Sequence, residues 1–272
     1  MKTITASQTT IPEATLETEA KIKMTHAVYD GYDYEAFWKG RGYENAADKM
    51  ALLRLLKKAR VRVPAHLVDV GSGMGRLAGV YDGFAKEIVL FDPSLDQLKN
   101  ARDRLGLSRK YEFVVGVAEL MPFESNVFDV VISIRMFHYV TNPGIVLGEM
   151  ARVLAPGGYL ILEIPNKIHF KARIKSFLSG RDISSRQSVS RSVQNPEVVF
   201  LNHHPVVIRE LLHEEGFEII DILSASNFRS PSLKKIFPAG VFLFFEKLFQ
   251  KPLAKIWFGP SVYFLARKKV GA

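Results

Sequence analysis

The sequence predicts an α/β fold, a mostly parallel sheet covered by helices on both faces. Three observations predict it. Between residues 67 and 166, short strand-like runs alternate with helix-like ones. The strand runs "LVDV", "IVLF" and "YLILEI" are almost continuously apolar, as expected for strands buried on both faces. The first of them runs directly into a glycine-rich turn, "GSGMG".

Taken in order, the elements justify themselves. "LVDV" (67–70) is the first strand and "IVLF" (88–91) the second. In "SLDQLKNARDRLG", Ser94 and Gln97 have capping-box spacing. Leu95, Leu98, Ala101 and Leu105 line one helical face, and Gly106 is a stop. "YEFVVG" and "FDVVIS" are the next strands. Asn142-Pro143 opens a helix through Leu147, Met150 and Leu154, ended by "APGG". "YLILEI" is the fifth strand. Pro205 opens "PVVIRELLHEEG", stopped by Gly216, and "FEIIDIL" and "SVYFLARKK" are late strands. Upstream, in "FWKGRGYENAADKMALLRLLKK", Met50, Leu53 and Leu56 give a helical apolar face, with Arg41 and Tyr43 just before that helix.

The 272 residues suit one large domain, and 47% hydrophobic with 24% charged residues is ordinary for a globular chain. The polar, Thr/Glu-rich residues 1–24 read as a flexible tail without the apolar core of a signal peptide. Residues 25–272 read as a single domain. Ser-rich 168–198 and Phe/Lys-rich 228–258 read as insertions forming a lid over the substrate. No cysteine is present, which excludes disulfides, thiolate metal sites and cysteine nucleophiles. That composition fits a cytoplasmic location. The net charge of +9 is concentrated in 167–191 and 234–269, away from the glycine turn.

Gly71, Gly73 and Gly75, with Ser72 among them, would permit positive φ and close approach of a ligand to backbone amides. The dinucleotide fingerprint G-x-G-x-x-G is not met, because Arg76 stands at its third glycine. Asp92 closes the second strand, 21 residues after Gly71, where a carboxylate can accept from both ribose hydroxyls. That serves NAD and S-adenosylmethionine alike. Asp69, inside an apolar strand, needs a donor or cation. The ammonium and sulfonium of S-adenosylmethionine suit it better than a pyrophosphate.

These residues resemble the class I S-adenosylmethionine-dependent methyltransferases of the type 11, UbiE-like branch. "VDVGSGMG" resembles their first motif and "LFDPSLDQLKNAR" the second. "GVAELMPFESNVFDVVISIRMFHYVTNP" resembles the third and fourth, and "ARVLAPGGYLILEIPN" the elements that follow. The resemblance implies a Rossmann-like three-layer sandwich with a seven-stranded, mostly parallel sheet. "SVYFLARKK" would be its antiparallel last strand and "FEIIDIL" the neighbour. It implies roles by position. Gly71, Ser72, Gly73 and Gly75 would pass the methionine part, with Asp69 near its amino group. Asp92 would bind ribose, with Pro93 beside the adenine and Ala118 and Glu119 along its edge. Ser133 and Ile134 would face the methionine end, and Arg41 would pair with its carboxylate. Where the family often has "GDAE" this chain has "GVAE". Val117 cannot accept from the adenine amine, and Glu119 either replaces that contact or is a solvated loop charge.

Methyl transfer from a sulfonium needs alignment, exclusion of water and, for a hydroxyl or acidic carbon, a base. His138 in "MFHYV" is the expected base, with Arg135 and Tyr139 as substrate contacts. The alternative is that His138 packs a loop. No metal site is expected. Nucleic acid is disfavoured as a partner, because "SIRMF" replaces the Pro-Pro-aromatic motif of exocyclic-amine methylation. The expected activity is methylation of a small-molecule acceptor at oxygen or carbon, lipid-like or anionic. The rivals are an RNA or protein methyltransferase, a non-catalytic S-adenosylmethionine-binding protein and a nicotinamide dehydrogenase. Phe242, Phe245 and Phe249, with Lys247, Lys251 and Lys255 on another row, make 233–258 either a peripheral membrane contact or, on the usual role of aromatic stripes, core. The sequence leaves the oligomeric state open.

Overall fold

A computed structural model describes residues 34–61, 65–106, 108–180, 182–191, 200–229 and 238–271. The expected tail 1–24 lies outside the described residues. Seven strands form one sheet, β1 His66–Val70, β2 Glu87–Asp92, β3 Tyr111–Val115, β4 Phe128–Ser133, β5 Leu154–Pro165, β8 Phe217–Ala225 and β9 Ser261–Lys268. Their order is β3-β2-β1-β4-β5-β9-β8. Pairs among β1 to β5 are parallel. β9 runs antiparallel to both β5 and β8. The expected seven-stranded sheet with an antiparallel last strand is what forms. A hairpin of β6 Val189–Arg191 and β7 Phe200–Asn202, which the polar sequence did not signal, stands apart.

Strand alternation divides the core in two. Val68, Val70 and Phe91 point to the face covered by α5 Pro143–Val153 and α7 Pro205–Glu214. Leu67, Ile88 and Leu90 point to the face covered by α2 Gly42–Ala59, α3 Ala78–Tyr81 and α4 Leu95–Leu105. Helix starts follow the sequence closely. Ser94 Oγ accepts from the Gln97 amide at 3.3 Å, and Pro143 and Pro205 occupy first-turn positions. "APGG" is not a free turn, since β5 begins at Leu154 directly after α5.

Two helical faces differ from expectation. On α2, Leu53 is exposed, and the buried row is Asp48, Leu52, Leu55, Leu56 and Ala59. On α4, Leu95 is half exposed, while Leu98 and Ala101 are buried. In each case the sheet takes the row that continues through the small residues, because these allow the backbones to approach closely.

The carboxyl ends of β1 to β5 share one edge of the sheet. Ser261, which opens β9, pairs with Pro165 at that edge, and Ala225, which closes β8, pairs with Ser261. The two late insertions therefore emerge on the same side as the glycine turn. α6 Phe170–Ser179 follows β5, and α8 Ala239–Ala254 precedes β9. α8 packs on β8 and α2.

Candidate active site

The order of the strands reverses between β1 and β4, the position where parallel α/β sheets open a crevice. A cavity of about 690 Å³, its open mouth included, lies there. Gly71, Gly73, Asp92, Pro93, Val117, Ala118 and Glu119 line it, with Arg135 and Tyr139 at one end. Phe91, Gln97, Gly116, Met136 and Val140 complete the wall. A smaller cavity of about 280 Å³ is lined by Asp69, Gly71, Ser72, Arg76, Leu77 and Ile134. Gly71 belongs to both, so the two are lobes of one elongated site.

Each glycine of the turn has positive φ, +75° at Gly71, +52° at Gly73 and +67° at Gly75. A Cβ on Gly71 would lie 2.5 Å from Met136 Cγ, so the turn also needs a missing side chain for close packing. Asp92 is held at the base of the larger lobe. Its Oδ2 accepts from the Gly73 amide at 2.8 Å and its Oδ1 from the Ser94 amide at 2.9 Å. One carboxylate thus fixes the glycine turn and the start of α4 while lining the cavity.

At the smaller lobe, strand alternation turns Asp69 toward the α2 face, where Tyr81 donates to its Oδ2 at 2.7 Å. Burial pushes the Asp69 carboxyl up to about 7, against the pull of Tyr81 and Arg76. Ser72 Oγ, also buried, has no hydrogen-bond partner within the described residues. A buried carboxylate with no ion pair among the described residues and an orphaned hydroxyl are what an amino-acid ammonium would satisfy. The residues present therefore fit S-adenosylmethionine, adenosine in the larger lobe and methionine in the smaller.

Arg41 does not line either lobe. Its guanidinium lies 3.9 Å over the Phe37 ring. The arginine that lines the smaller lobe is Arg76. Arg76 stacks on Trp38 and donates to Asn45 at 2.6 Å and Asp48 at 3.1 Å. The residue that excluded a dinucleotide turn also anchors α2 to the glycine loop.

Arg135 lines the larger lobe. It has a φ of +64°, uncommon for a side chain with a Cβ, and its amide donates to Glu163 Oε2 at 2.9 Å. Its guanidinium donates to Asp48 at 2.7 and 3.1 Å and lies 3.7 Å from Glu163 Oε1. Those partners tie the guanidinium to α2 and β5 at the edge of the cavity. Tyr263 donates to the same Asp48 at 2.7 Å. Asp48 is fully buried, and nothing in the motifs pointed to it. The only available signal was a carboxylate in the row of Leu52 and Leu55.

His138 does not line either lobe. It stacks on Phe200 with ring centroids 4.8 Å apart and packs against Tyr139 at 4.1 Å. Burial, with Arg135 and His203 nearby, pushes it down to about 3, so the imidazole is neutral at pH 7. Ser133 is buried beyond both lobes, whereas Ile134 reaches the smaller. No group of metal-ligating side chains occurs among the described residues.

A glycine turn after β1, a carboxylate closing β2 and a sheet with an antiparallel penultimate-edge strand define an S-adenosylmethionine-dependent methyltransferase of class I. Comparison with known proteins agrees. A family model described as methyltransferase domain matches residues 68–162. The ubiquinone/menaquinone biosynthesis C-methyltransferase UbiE of Pseudomonas putida is 38% identical over 173 residues, covering 58% of this chain and 67% of the relative. The UbiE of Pseudomonas savastanoi is 32% identical over the same length. A Listeria monocytogenes structure assigned to these methyltransferases superposes with a TM-score of 0.59 at 15% identity, over 82% of this chain and 99% of that one. The [4+2]-cyclase SpnF superposes at 0.56 with 21% identity, covering 82% of each chain. The chain belongs to the class I S-adenosylmethionine-dependent methyltransferases, in the type 11 branch.

The cofactor's affinity should carry the titration of Asp69. The ammonium favours the ionised carboxylate, so affinity is full above about pH 7 and falls below it. The slope should approach about tenfold per pH unit. Calorimetric titration with S-adenosylhomocysteine between pH 5.5 and pH 8.5 (roughly the span over which such a group titrates) should show this. Asp69→Asn should flatten the curve; an unchanged slope in that variant removes Asp69 from the methionine end.

Proposed function

We propose that this chain methylates a carbon of a small, apolar, quinone-type acceptor, with oxygen of the same acceptor class as the lesser option. The observation that carries this reading is an aromatic wall at the end of the cavity where Arg135 and Met136 stand, faced by Tyr139 and backed by the His138–Phe200 stack that packs against it. Such a wall suits a flat ring better than a peptide or a phosphodiester. The printed activity of the Pseudomonas relatives, C-methylation in ubiquinone and menaquinone biosynthesis, supports the same class.

Bound S-adenosylmethionine supplies an electrophilic methyl group with its leaving group already activated. Within this proposal, Asp92 orients the ribose, Asp69 and Ser72 take the ammonium, and Arg76 is the cation nearest the carboxylate. Gln97 and Glu119 stand beside Val117, where the adenine amine needs an acceptor. Tyr139 and Met136 align the ring and keep water out. His138, neutral at pH 7, accepts a hydrogen bond from the acceptor's hydroxyl and is too weak a base to ionise an ordinary alcohol. An acceptor whose own hydroxyl is acidic is therefore preferred. The Phe/Lys-rich 233–258 is assigned on the same reading to a peripheral membrane contact that delivers a lipid-like substrate.

Incubation with methyl-labelled S-adenosylmethionine and a detergent-dispersed quinol, a total RNA and a protein extract tests the acceptor class. Label in the quinol alone is the expected result. Label in RNA, with salt-dependent RNA binding, would establish the nucleic-acid rival instead. His138→Ala should lower kcat by about tenfold and leave S-adenosylhomocysteine affinity unchanged; an unaffected kcat reduces His138 to packing.

A further inference from the structure

We propose that α6 and α8 together form a docking face for an anionic lipid bilayer, at the edge of the sheet where the cofactor site opens. α8 is amphipathic in the reverse sense for a surface helix. Its inward row is Phe242, Glu246, Gln250 and Ala254, all buried. Glu246 accepts from the Tyr43 hydroxyl at 2.6 Å and the Ser226 amide at 2.9 Å, and Gln250 donates to the Ala47 carbonyl at 3.3 Å. Its outward row is apolar, with Phe244 60% and Leu248 52% exposed and Phe245 and Phe249 beside them. The aromatic stripe is thus split, Phe242 buried with the inward row and Phe245 and Phe249 turned outward, because polar partners on α2 and just after β8 hold Glu246 and Gln250 inside.

α6 repeats the pattern. None of its residues is buried. Phe170, Ile174, Phe177 and Leu178 fall on one side, and Phe177 is 89% exposed. The less exposed positions belong to small Ala172 and Ser176. α6 is tied to the segments on either side of α8. The Phe170 ring stacks on Phe258 at 4.8 Å, Arg173 donates to the Ile256 carbonyl at 2.7 Å, and Lys171 donates to the Arg229 carbonyl at 3.0 Å. Phe228 packs against Phe245 and Phe249 at 6.2 Å.

Charge decides the occupant. The exposed or partly exposed charged residues of the two helices and of Lys255 after them are all basic, Lys171, Arg173, Lys175, Lys247, Lys251 and Lys255. The one acid, Glu246, is buried. A second copy on a two-fold axis would set these cations against one another. Anionic headgroups neutralise them while the phenylalanines enter the acyl boundary, the arrangement of an interfacial helix. No described helix is long and apolar enough to cross a membrane, so the contact is peripheral. The face rests on the reading of a lipid-like acceptor for its purpose, since it sets the cavity mouth toward the bilayer.

Co-sedimentation of the full chain tests it, with vesicles of phosphatidylcholine alone and of phosphatidylcholine mixed equally with phosphatidylglycerol. Binding to the mixed vesicles only is expected, weakened by salt. Phe177→Ser/Leu178→Ser should reduce that binding about tenfold or more. Lys171→Glu/Lys175→Glu should do the same, and both variants should keep S-adenosylhomocysteine affinity as the control for folding. Equal binding to both vesicle types, or variants that bind as well as the parent, would overturn the proposal. So would a parent that is dimeric without vesicles and becomes monomeric in the serine variant. A chain that methylates a detergent-dispersed quinol but ignores vesicles sinks this face and leaves the acceptor reading standing. A chain that binds anionic vesicles but methylates only RNA does the reverse.

Discussion

Asp48→Ala is expected to destabilise the protein by about 3–5 kcal/mol, the largest effect of any single change considered. Asp48 is fully buried and accepts from Arg76, Arg135 and Tyr263. Removing it strands two guanidiniums and a phenol in the interior. Burial works to raise its carboxyl, but Arg135 and Arg76 outweigh burial and hold it below the ordinary range. Its contribution is therefore present above the unfolded carboxylate value, about 3.9, and is lost as pH falls through the native one. The urea midpoint of the variant measures the effect. A loss below about 1 kcal/mol would show that the two arginines find solvent or other partners. Because Arg76 lines the methionine lobe and Arg135 the adenosine lobe, S-adenosylhomocysteine affinity should fall with stability, and should be read at a temperature where the variant is folded.

Asp92→Ala is expected to weaken S-adenosylhomocysteine binding by about a hundredfold or more. Two hydrogen bonds that a carboxylate accepts from ribose hydroxyls contribute about 1.5–3 kcal/mol each. The same change releases the Gly73 and Ser94 amides that shape the turn. Calorimetry measures the loss, and an unchanged far-ultraviolet spectrum separates it from unfolding. Retained affinity would remove Asp92 from the ribose.

The cofactor half of the site was legible because it is written locally. Gly71, Gly73, Gly75 and Asp92 sit at strand ends, where a parallel sheet has one chemical task, and their spacing alone rejected a pyrophosphate. The caps at Ser94, Pro143 and Pro205 were legible for the same reason, since each acts within one turn of helix. The partners of Arg41 and Arg135 were not legible, because a guanidinium reaches far enough to choose among several. Phe37 lies close to the first in sequence, but Asp48 and Glu163 are 87 and 28 residues from the second.

What the sequence determined by itself is the class of fold, the order of its strands and helices, and the kind of cofactor, because periodicity and glycine spacing are short-range physics. What only the tertiary structure decided is the direction of side chains that could face two ways. It turned Asp48 inward to neutralise two arginines, gave His138 to Phe200, and left Phe244, Phe245 and Phe249 of α8 facing out while Phe242 went in, because Glu246 and Gln250 had partners inside. A helix buries the row whose partners the rest of the chain supplies, and those partners stand up to about two hundred residues away, beyond the reach of any local pattern.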